Sequence, residues 1–257
     1  MKHDPPQHGT GGLETADVPA APAQAAAIFG DRFPLAQQYA ELLAGSGVVR
    51  GLIGPREAPR LWERHILNCA VITELIDPDS TVADVGSGAG LPGLVIAVRR
   101  PDVSVTLIEP LLRRVRWLDE VVQELGLTNV TVARGRAESL WDEVAPADVV
   151  TSRAVSALEN LAVWSVPLVR PGGWWLPMKG SSVADEIEQS RDLLSSVGVT
   201  EIEVVECGVG VLDEPTIVAR LAIGTPRRLG KNAAGKGTKK PGRRQSADRR
   251  PQDRRRQ

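Results

Sequence analysis

One glycine-rich stretch constrains the fold of this chain more than any other part of its sequence. Residues 81–93 begin as an apolar run, Thr81 to Val85, and continue into a turn in which glycine recurs at alternate positions. The residues that follow, Leu94 to Val98, are apolar and compatible with a helix. Glycine lets the backbone turn sharply at positive φ, and it lets a ligand approach where a Cβ would block it. The stretch therefore predicts a strand, a loop and a helix, with a nucleotide cradle in the loop.

Two nucleotide-binding patterns fit these glycines. Gly88, Gly90 and Gly93 have the spacing of the dinucleotide fingerprint, whereas Asp84 and Gly86 begin the acid-x-G-x-G-x-G pattern of class I methyltransferases. The dinucleotide pattern needs its first glycine at the end of the strand, but Gly86 holds that place. A carboxylate there also suits an ammonium, which S-adenosylmethionine has and a pyrophosphate lacks. The stretch therefore favours a methyltransferase, and we predict that Asp84, Gly86 and Gly88 contact its cofactor.

Strand-like and helix-like segments alternate after the glycine stretch. We predict strands at 103–109, 130–134, 147–152 and 174–179, and helices at 111–125, 157–169 and 183–197. Strict alternation indicates a parallel sheet covered on both faces. Two β-rich runs, 199–207 and 217–223, close the sheet as an antiparallel hairpin, and two helical blocks, 25–45 and 57–76, precede it. The predicted fold class is α/β, a Rossmann-like class I methyltransferase with a mostly parallel sheet and N-terminal helices.

Composition divides the chain into a folded body and two tails. Residues 1–24 are rich in proline, glycine, alanine and glutamine without periodicity, and we expect them to be disordered. Residues 25–224 are expected to form the methyltransferase domain, with a helical cap at 25–80. Residues 225–257 carry thirteen lysines and arginines against two aspartates, in a chain whose net charge is −1, and have too few apolar residues to fold. Such a basic tail suits a polyanionic partner, and a solubilising extension is the alternative.

Other features of the composition exclude whole classes of protein. The N-terminus lacks an apolar signal segment, and no apolar run is long enough to span a membrane, so we expect neither export nor membrane insertion. Between Gly45 and Gly47, and again at Gly54-Pro55, glycine and proline mark loops that are expected to border a ligand cleft. Cys69 and Cys207 lie in no metal-spaced cluster. We interpret them as buried thiols of a cytoplasmic protein that binds no metal.

Residues just after each strand are candidates for the site, because ligands of open α/β sheets lie beyond the carboxyl ends of the strands. Glu109 closes the second predicted strand, where a carboxylate can accept hydrogen bonds from both ribose hydroxyls of an adenosine. A solvated glutamate at a strand end is the alternative. After the third strand, a backbone N–H of the Arg136-Ala137-Glu138 segment and the Glu138 carboxylate can contact the adenine edge.

Three further side chains are candidates for the reaction itself. Arg153 follows the fourth strand and could position the substrate or the carboxylate of the cofactor, although a surface arginine is the alternative. Lys179 ends the fifth strand of a chain with 25 arginines and six lysines, which favours a role in the cleft. His65 lies at helical spacing from Trp62 and Cys69, where packing in the core is the more common role of a histidine. The sequence identifies none of the three as a certain catalytic residue.

The strand ends also restrict the chemistry. Amine-directed nucleic-acid methyltransferases carry Asn/Asp-Pro-Pro-Tyr/Phe after the fourth strand, whereas this chain has Thr151 to Ala154 there. Neither cysteine follows a strand into the cleft, so covalent attack on pyrimidine C5 lacks a nucleophile. An acceptor with an exposed lone pair, such as a purine ring nitrogen, needs neither a base nor a nucleophile.

Taken together, these residues resemble the bacterial ribosomal RNA small subunit methyltransferase G family, also called glucose-inhibited division protein B. The resemblance runs from about Arg56 to Ile223. Its motifs are Trp62 to Leu67, Asp84 to Gly93, Arg113 to Leu118, Arg136 to Glu138, Ser152 to Ala154 and Lys179-Gly180. The Gly-Leu-Pro-Gly extension with a later Ser-Arg-Ala is far more specific than a bare glycine loop.

The resemblance implies an activity and a partner. Members of this family transfer methyl from S-adenosylmethionine to N7 of one guanine in 16S rRNA, at the loop beside the decoding site, and N7 is a ring nitrogen that needs no base. The implied partner is 16S rRNA or the 30S subunit, and we expect a monomer. The implied cofactor contacts are Gly86, Leu91, Ala137, Glu138 and Arg153, with Glu109 as the ribose acid.

Some positions depart from the family pattern, and they lie on the substrate side of the cleft. Asn68-Cys69 stand where many members have Asp-Ser, and the usual Asn-Leu-Thr is missing near 52–55. Arg64, Arg153, Lys179 and the basic tail are the candidates for contacts with RNA phosphates. A small-molecule methyltransferase of the same fold and a non-catalytic RNA-binding protein are the alternative functions.

Overall fold

Seven strands form one sheet in the computed structural model, which describes residues 18–153 and 155–229. The strands are Thr81–Val85 (β1), Ser104–Glu109 (β2), Val130–Arg134 (β3), Ala147–Arg153 (β4), Val169–Met178 (β5), Val199–Cys207 (β6) and Thr216–Ile223 (β7). Their order is β3-β2-β1-β4-β5-β7-β6. Strand β7 runs antiparallel to both β5 and β6, and the other neighbours are parallel. The predicted parallel sheet with a closing antiparallel hairpin is therefore confirmed.

Helices precede the sheet and then alternate with its strands. The α-helices are Ala23–Phe29 (α1), Phe33–Leu42 (α2), Asn68–Val71 (α3), Gly93–Arg99 (α4), Leu112–Glu124 (α5), Leu158–Ser165 (α6) and Val183–Val197 (α7). Short 3₁₀ turns lie at Gly30–Arg32, Ala58–Arg60, Ile72–Leu75, Ala137–Ser139 and Val166–Leu168, and π-helical segments at Leu43–Gly47 and Leu61–Leu67. The N-terminal helical blocks are thus present, but they are broken into short pieces.

The sheet separates two layers of hydrophobic core. Because successive side chains of a strand point to opposite faces, Val82 packs with α4, α5 and the N-terminal helices, whereas Ala83 and Val85 pack with α6 and α7. Asp84 lies two residues after Val82 and therefore shares its face. This alternation decides which side chains of β1 can reach a ligand.

The fifth strand begins earlier than the sequence predicts. The predicted helix 157–169 ends at Ser165, followed by a 3₁₀ turn that contains Pro167, a residue without an N–H to continue the α-helix. Val169 then pairs with Ala147, and the register shifts before Val149 pairs with Trp174. The Pro171-Gly172-Gly173 segment between these two pairs forms a bulge within β5.

The chain beyond β7 returns to the body of the domain. The backbone N–H of Arg227 donates to the carbonyl of Val197 at the end of α7 (2.8 Å). The guanidinium of Arg228 donates to the carbonyl of Trp141 and forms an ion pair with Asp142 (2.7 Å). Residues 1–17 and 230–257, which hold most of the two predicted disordered segments, lie outside the described residues.

Both cysteines are buried and free, as the sequence predicts. Burial raises the pKa of the Cys69 thiol, and burial together with the neighbouring Glu74 carboxylate raises the pKa of Cys207 to about 12. Among residues 18–153 and 155–229, no helix combines the length and apolar character needed to cross a membrane.

Candidate active site

The loop between β1 and α4 turns through glycines with positive φ. The φ angles are 76° at Gly86, 59° at Gly88 and 102° at Gly90, a region that L side chains rarely adopt. A Cβ on Gly86 would also lie 2.9 Å from Cγ2 of Val155. Glycine is therefore required here by the backbone and by the close approach of Val155.

Two buried aromatic side chains donate hydrogen bonds to the backbone of this loop. The hydroxyl of Tyr39 and the indole N–H of Trp117 each donate to the carbonyl of Ala89 at 3.0 Å. The backbone N–H groups of Gly86 and Ser87 donate to the carbonyl at the end of β2. The fold itself therefore supplies the hydrogen bonds that hold the loop in this shape.

A cavity of about 740 Å³ opens beside this loop at the carboxyl ends of the strands. This volume lies within the range of small-molecule sites. Its wall contains most of the residues predicted from the sequence: His65, Gly86, Gly88, Leu91, Glu109, Ala137, Glu138 and Arg153. Of the predicted catalytic and cofactor-binding residues, Asp84 and Lys179 lie outside this wall. The predicted loop at Gly54 borders the cavity, whereas Gly45–Gly47 lies in a π-helical segment away from it.

Glu109 joins the glycine loop to the end of β2. Its carboxylate accepts hydrogen bonds from the backbone N–H of Gly88 (3.0 Å) and of Leu111 (2.9 Å), and Arg114 lies 3.6 Å away. The residue is only 1% exposed, yet it lines the cavity. A carboxylate offers about four lone-pair positions. Glu109 therefore retains acceptor capacity toward a ligand after both backbone contacts.

A tight turn after β3 places Ala137 and Glu138 in the wall of the cavity. The N–H of Gly135 donates to the carbonyl of Glu109 (3.2 Å), and a Cβ on Gly135 would lie 2.8 Å from Leu140. The 3₁₀ turn Ala137–Ser139 then presents Ala137, which is buried, and Glu138, which is half-buried, to the cavity. A backbone group and a carboxylate thus stand side by side in the wall.

Asp84 lies beneath the loop. It is fully buried on the face of the sheet that α4 covers, and its Oδ2 accepts the N–H of Gly93 at 2.9 Å. Its Oδ1 has no hydrogen-bond partner among the described residues. Burial raises the pKa of this carboxyl to about 7. The direct contact with a ligand that we expected from Asp84 does not fit this position, because strand alternation turns the side chain toward the start of α4.

Arg153 reaches from the end of β4 to the N-terminal helices. Its Nη2 lies 2.6 Å from Nδ1 of His65 and donates to the carbonyl of Arg64 at 3.0 Å. Its Nη1 donates to Sγ of Cys69 at 3.3 Å. The cysteine that replaces the usual serine of the family pattern is therefore a direct partner of Arg153.

His65 is held between a cation and a carboxylate. Since a guanidinium can only donate, Nδ1 of His65 accepts from Arg153, and the ring proton lies on Nε2, which is 3.0 Å from the Oε2 of Glu57. Burial and the Arg153 charge lower the pKa of the imidazole, and the hydrogen bond from His65 lowers the pKa of Glu57. His65 is thus a neutral cavity residue rather than the core-packing histidine that spacing alone favours.

Lys179 anchors a loop instead of entering the cavity. Its Nζ lies 2.7 Å from Oε2 of Glu186, at the start of α7, and donates to the carbonyl of Ser156 at 3.2 Å. The same Glu186 carboxylate accepts the N–H of Leu158 at the start of α6. The predicted role of Lys179 in phosphate binding does not fit this arrangement, because its Nζ is engaged by Glu186 on α7 and by the carbonyl of Ser156 in the β4–α6 connection.

Several residues of the wall were not predicted. Glu57, Arg114, Val155 and Trp164 all line the cavity. Arg114 belongs to a motif that carried the family resemblance, and its place in the first turn of α5, directly after Glu109, is a signal that could have identified it. Nothing in the spacing of Glu57 relative to His65 identifies the contact between them.

Comparison with known proteins identifies relatives of this chain. The family model described as GidB, rRNA small subunit methyltransferase G, matches residues 32–215. A Renibacterium salmoninarum protein named ribosomal RNA small subunit methyltransferase G is 56% identical over 217 residues, which cover 84% of this chain and all of that protein. A Streptomyces avermitilis protein of the same name is 53% identical over 211 residues, covering 82% of this chain and 89% of that protein.

A solved structure supports the fold separately. M. jannaschii TYW2 in complex with AdoMet superposes with a TM-score of 0.51 at 16% identity, covering 64% of this chain and 78% of that chain. At this level of identity the likeness concerns the fold, and it confirms the predicted class I methyltransferase architecture. Because the family model matches well over half of the chain, and relatives more than 50% identical match over most of its length, the chain belongs to the GidB family, rRNA small subunit methyltransferase G.

Proposed function

We propose that this protein transfers a methyl group from S-adenosylmethionine to N7 of a guanine in 16S rRNA. The observation that supports this most directly is the cavity beside the glycine loop, which gathers all the predicted cofactor-binding residues except Asp84. Family membership supplies the class of substrate. The fold and the residues of the cavity both favour this reaction.

The cavity fits S-adenosylmethionine in its acceptors and in its shape. Glu109 supplies a nearly buried carboxylate with free lone pairs for the ribose hydroxyls. Gly86 and Gly88 carry no side chain where the loop faces the cavity, and Ala137 with Glu138 suits the adenine edge. Arg153 supplies a cation for the cofactor's carboxylate.

Asp84 supports the cofactor site without contacting the cofactor. Its hydrogen bond to Gly93 secures the start of α4, and so holds the end of the glycine loop against β1. We assign it a supporting role beneath the loop in place of the direct ammonium contact.

When bound, S-adenosylmethionine supplies an electrophilic methyl carbon: the guanine N7 lone pair forms the new bond, the carbon–sulfur bond breaks with its electrons on sulfur, and positive charge moves to the base. The residues of this chain have no proton to remove, since N7 carries none. Their tasks are to hold the two reactants in line and to exclude water. Neutral His65, fixed by Arg153 and Glu57, gives this wall a defined hydrogen-bonding pattern without adding charge.

The RNA contacts follow from exposed cations near the cavity. The Arg64 side chain is exposed on the helical segment that also carries His65, and it makes no ion pair within residues 18–153 and 155–229. Arginine suits phosphate through its planar set of donors. The basic tail is a further candidate for phosphate contacts, and it lies outside the described residues. We propose that the protein acts as a monomer in the cytoplasm, where ribosomal RNA is located; sedimentation of the purified protein tests the monomer.

The test is to incubate the protein with methyl-labelled S-adenosylmethionine and 30S subunits that lack this modification, and then to map the labelled nucleotide. We expect 7-methylguanosine at a single site of 16S rRNA. Label on another atom, or no transfer by protein that binds the cofactor, would contradict the proposal. Naked 16S rRNA in parallel shows whether the assembled subunit is required.

A further inference from the structure

A second cavity lies beside the first and shares part of its wall. Its volume is about 440 Å³, and Glu57, His65 and Arg153 line both cavities. Its remaining wall comes from Gln24 in α1, from the helical segments around residues 60–68 and from residues 212–214, in the turn between β6 and β7. Two adjoining cavities therefore lie at the carboxyl edge of the sheet, and Glu57, His65 and Arg153 form the wall between them.

The reversed strand β7 explains why this turn reaches the site. Met178, at the carboxyl end of β5, pairs with Val218 near the beginning of β7. Thr216 pairs with Cys207, so the turn from β6 to β7 lies at the same edge as the ends of the parallel strands. The turn residues Asp213 and Glu214 are thereby placed in the wall of the second cavity.

The wall of this cavity carries charges that are free of internal partners. Asp213, Glu214 and Glu63 are exposed, and none of them makes an ion pair or a side-chain hydrogen bond with the described part of the chain. The guanidinium groups of Arg60 and Arg64 are likewise exposed and unpaired within the same residues. Arginines on an RNA-binding face are expected, but carboxylates there repel phosphates and so indicate a different partner.

A guanine base has the chemistry that such carboxylates recognise. N1–H and the N2 amino group on its Watson–Crick edge are adjacent donors, and an ionised carboxylate is an acceptor with two oxygens. Proteins read single-stranded RNA through unstacked bases held by these edges. N7 lies on the far side of the base from N1 and N2. A guanine whose Watson–Crick edge faces residues 213–214 can therefore direct N7 toward the wall shared with the first cavity.

The reaction itself gives a second reason for negative charge at this place. Attack by N7 turns a neutral base into a cation, and nearby carboxylates stabilise charge that develops in the transition state. Arginines at the rim can hold the phosphates on either side of the extruded nucleotide. The two kinds of charge in the wall thus match two different parts of one nucleotide.

We propose that the second cavity holds the acceptor guanine, with Asp213, Glu214 and Glu63 accepting hydrogen bonds from its Watson–Crick edge and Arg60 and Arg64 binding the adjoining phosphates. This inference rests on the proposed function, since it names the place of the acceptor in the same reaction. It assigns recognition of the base to the β6–β7 turn and Glu63, while the glycine loop and Glu109 hold the cofactor.

The kinetic test replaces both turn carboxylates by their amides, in the double variant Asp213→Asn/Glu214→Gln. We expect kcat/KM for 30S subunits to fall roughly ten- to hundredfold, the range for losing a specific base contact, with an unchanged dissociation constant for S-adenosylmethionine. The matched control is Glu201→Gln/Glu206→Gln, which removes the same charge from exposed positions of β6 outside both cavities. Equal kcat/KM for the two double variants would overturn the inference.

A binding measurement gives an independent readout. In the presence of S-adenosylhomocysteine, we expect the wild-type protein to bind 7-methylguanosine monophosphate, whose base is cationic, more tightly than guanosine monophosphate. The turn variant should lose this preference and the control variant should keep it. A preference that survives in the turn variant, or that is absent from the wild type, would contradict the assignment. Wild-type protein that transfers no methyl to rRNA would instead overturn the proposed function, so the two failures are distinguishable.

Discussion

The guanidinium of Arg153 lies 2.6 Å from Nδ1 of His65, so a permanent cation fixes one nitrogen of the imidazole as an acceptor. The other nitrogen faces Glu57. This arrangement joins the end of β4 to the N-terminal helices, and it gives the wall shared by the two cavities its only histidine among the described residues. The state of this ring can be tested directly.

Arg153→Met should raise the pKa of His65, because it removes a nearby positive charge that opposes protonation. Titration of the ring nitrogens by NMR measures the change. In the wild type, the lowered pKa of folded His65 means that the unfolded chain binds the proton more readily. His65 therefore lowers stability as the pH falls through the ordinary histidine range, and above that range it has no such effect. A lower pKa in Arg153→Met would contradict the geometry.

Asp84 should affect stability in the opposite direction with pH. Its pKa is raised to about 7 in the folded protein, so the folded state holds a proton that the unfolded chain releases at lower pH. The free energy of unfolding of the wild type, relative to that of an Asp84→Asn variant, should therefore fall as the pH rises from about 4 to about 7, and then level off. The total fall should be about 1.4 kcal/mol for each unit by which the folded pKa exceeds the unfolded one. Urea unfolding across this range measures it. A wild type that gains stability over Asp84→Asn with rising pH would show that the carboxyl is not desolvated.

The Lys179–Glu186 pair should act on the cofactor through the β4–α6 connection. Glu186→Gln and Lys179→Met each loosen the connection that carries Val155, a residue of the cavity wall that contacts the glycine loop. We expect weaker binding of S-adenosylmethionine in both, with a double variant that is no worse than the poorer single variant, since the two residues act as one unit. Calorimetric titration measures the three constants. Additive losses would mean that Lys179 has a separate role.

Gly93 should be among the least replaceable glycines. A Cβ at this position would lie 2.8 Å from Oδ2 of Asp84 and would overlap Leu107, and both neighbours are buried. Gly93→Ala should therefore cost about 1–3 kcal/mol of unfolding free energy, the usual range for overpacking. Gly45→Ala is the matched control, because nothing lies within 4 Å of its added Cβ and its φ is not positive. Equal stability of the two variants would contradict the close packing of α4 on β1.

Glu109→Ala should weaken binding of S-adenosylmethionine and S-adenosylhomocysteine alike, because both would present the same ribose to this carboxylate. The loss should be at least tenfold, since the change also releases the backbone N–H groups of Gly88 and Leu111. Glu138→Ala serves as a comparison at the adenine side. Unchanged affinity in Glu109→Ala would remove Glu109 from the cofactor site.

The positions that follow a general rule of α/β sheets were predictable from sequence. Gly86 directly follows β1 and Glu109 ends its parallel neighbour β2, and the carboxyl ends of neighbouring parallel strands lie at the same edge of the sheet whatever the other side chains are. The position of the Asp84 side chain was harder to predict, because the face of the sheet to which it points depends on strand alternation. Val82, two residues earlier, is apolar and so indicates that this face is buried. Lys179 depended on a partner, Glu186, on a different helix, and no pattern in either segment indicates that contact.

The second cavity was still harder to predict from sequence, because its wall is formed by segments that are distant in the chain. Glu57 and the β6–β7 turn lie far apart in sequence, and both line the second cavity because the hairpin reverses at the carboxyl edge. The bulge within β5 was also not predictable, since Pro-Gly-Gly is as typical of a helix end as of an irregular strand.

The two buried cysteines make this protein suitable for site-specific labelling. Cys69 and Cys207 are inaccessible, and their raised pKa values keep them as thiols at neutral pH, where maleimides and iodoacetamides react with thiolates. A cysteine introduced on the surface, such as Val209→Cys in the exposed β6–β7 turn, would then be the one that takes the probe. A fluorophore there could report the arrival of RNA in real time on the otherwise native protein.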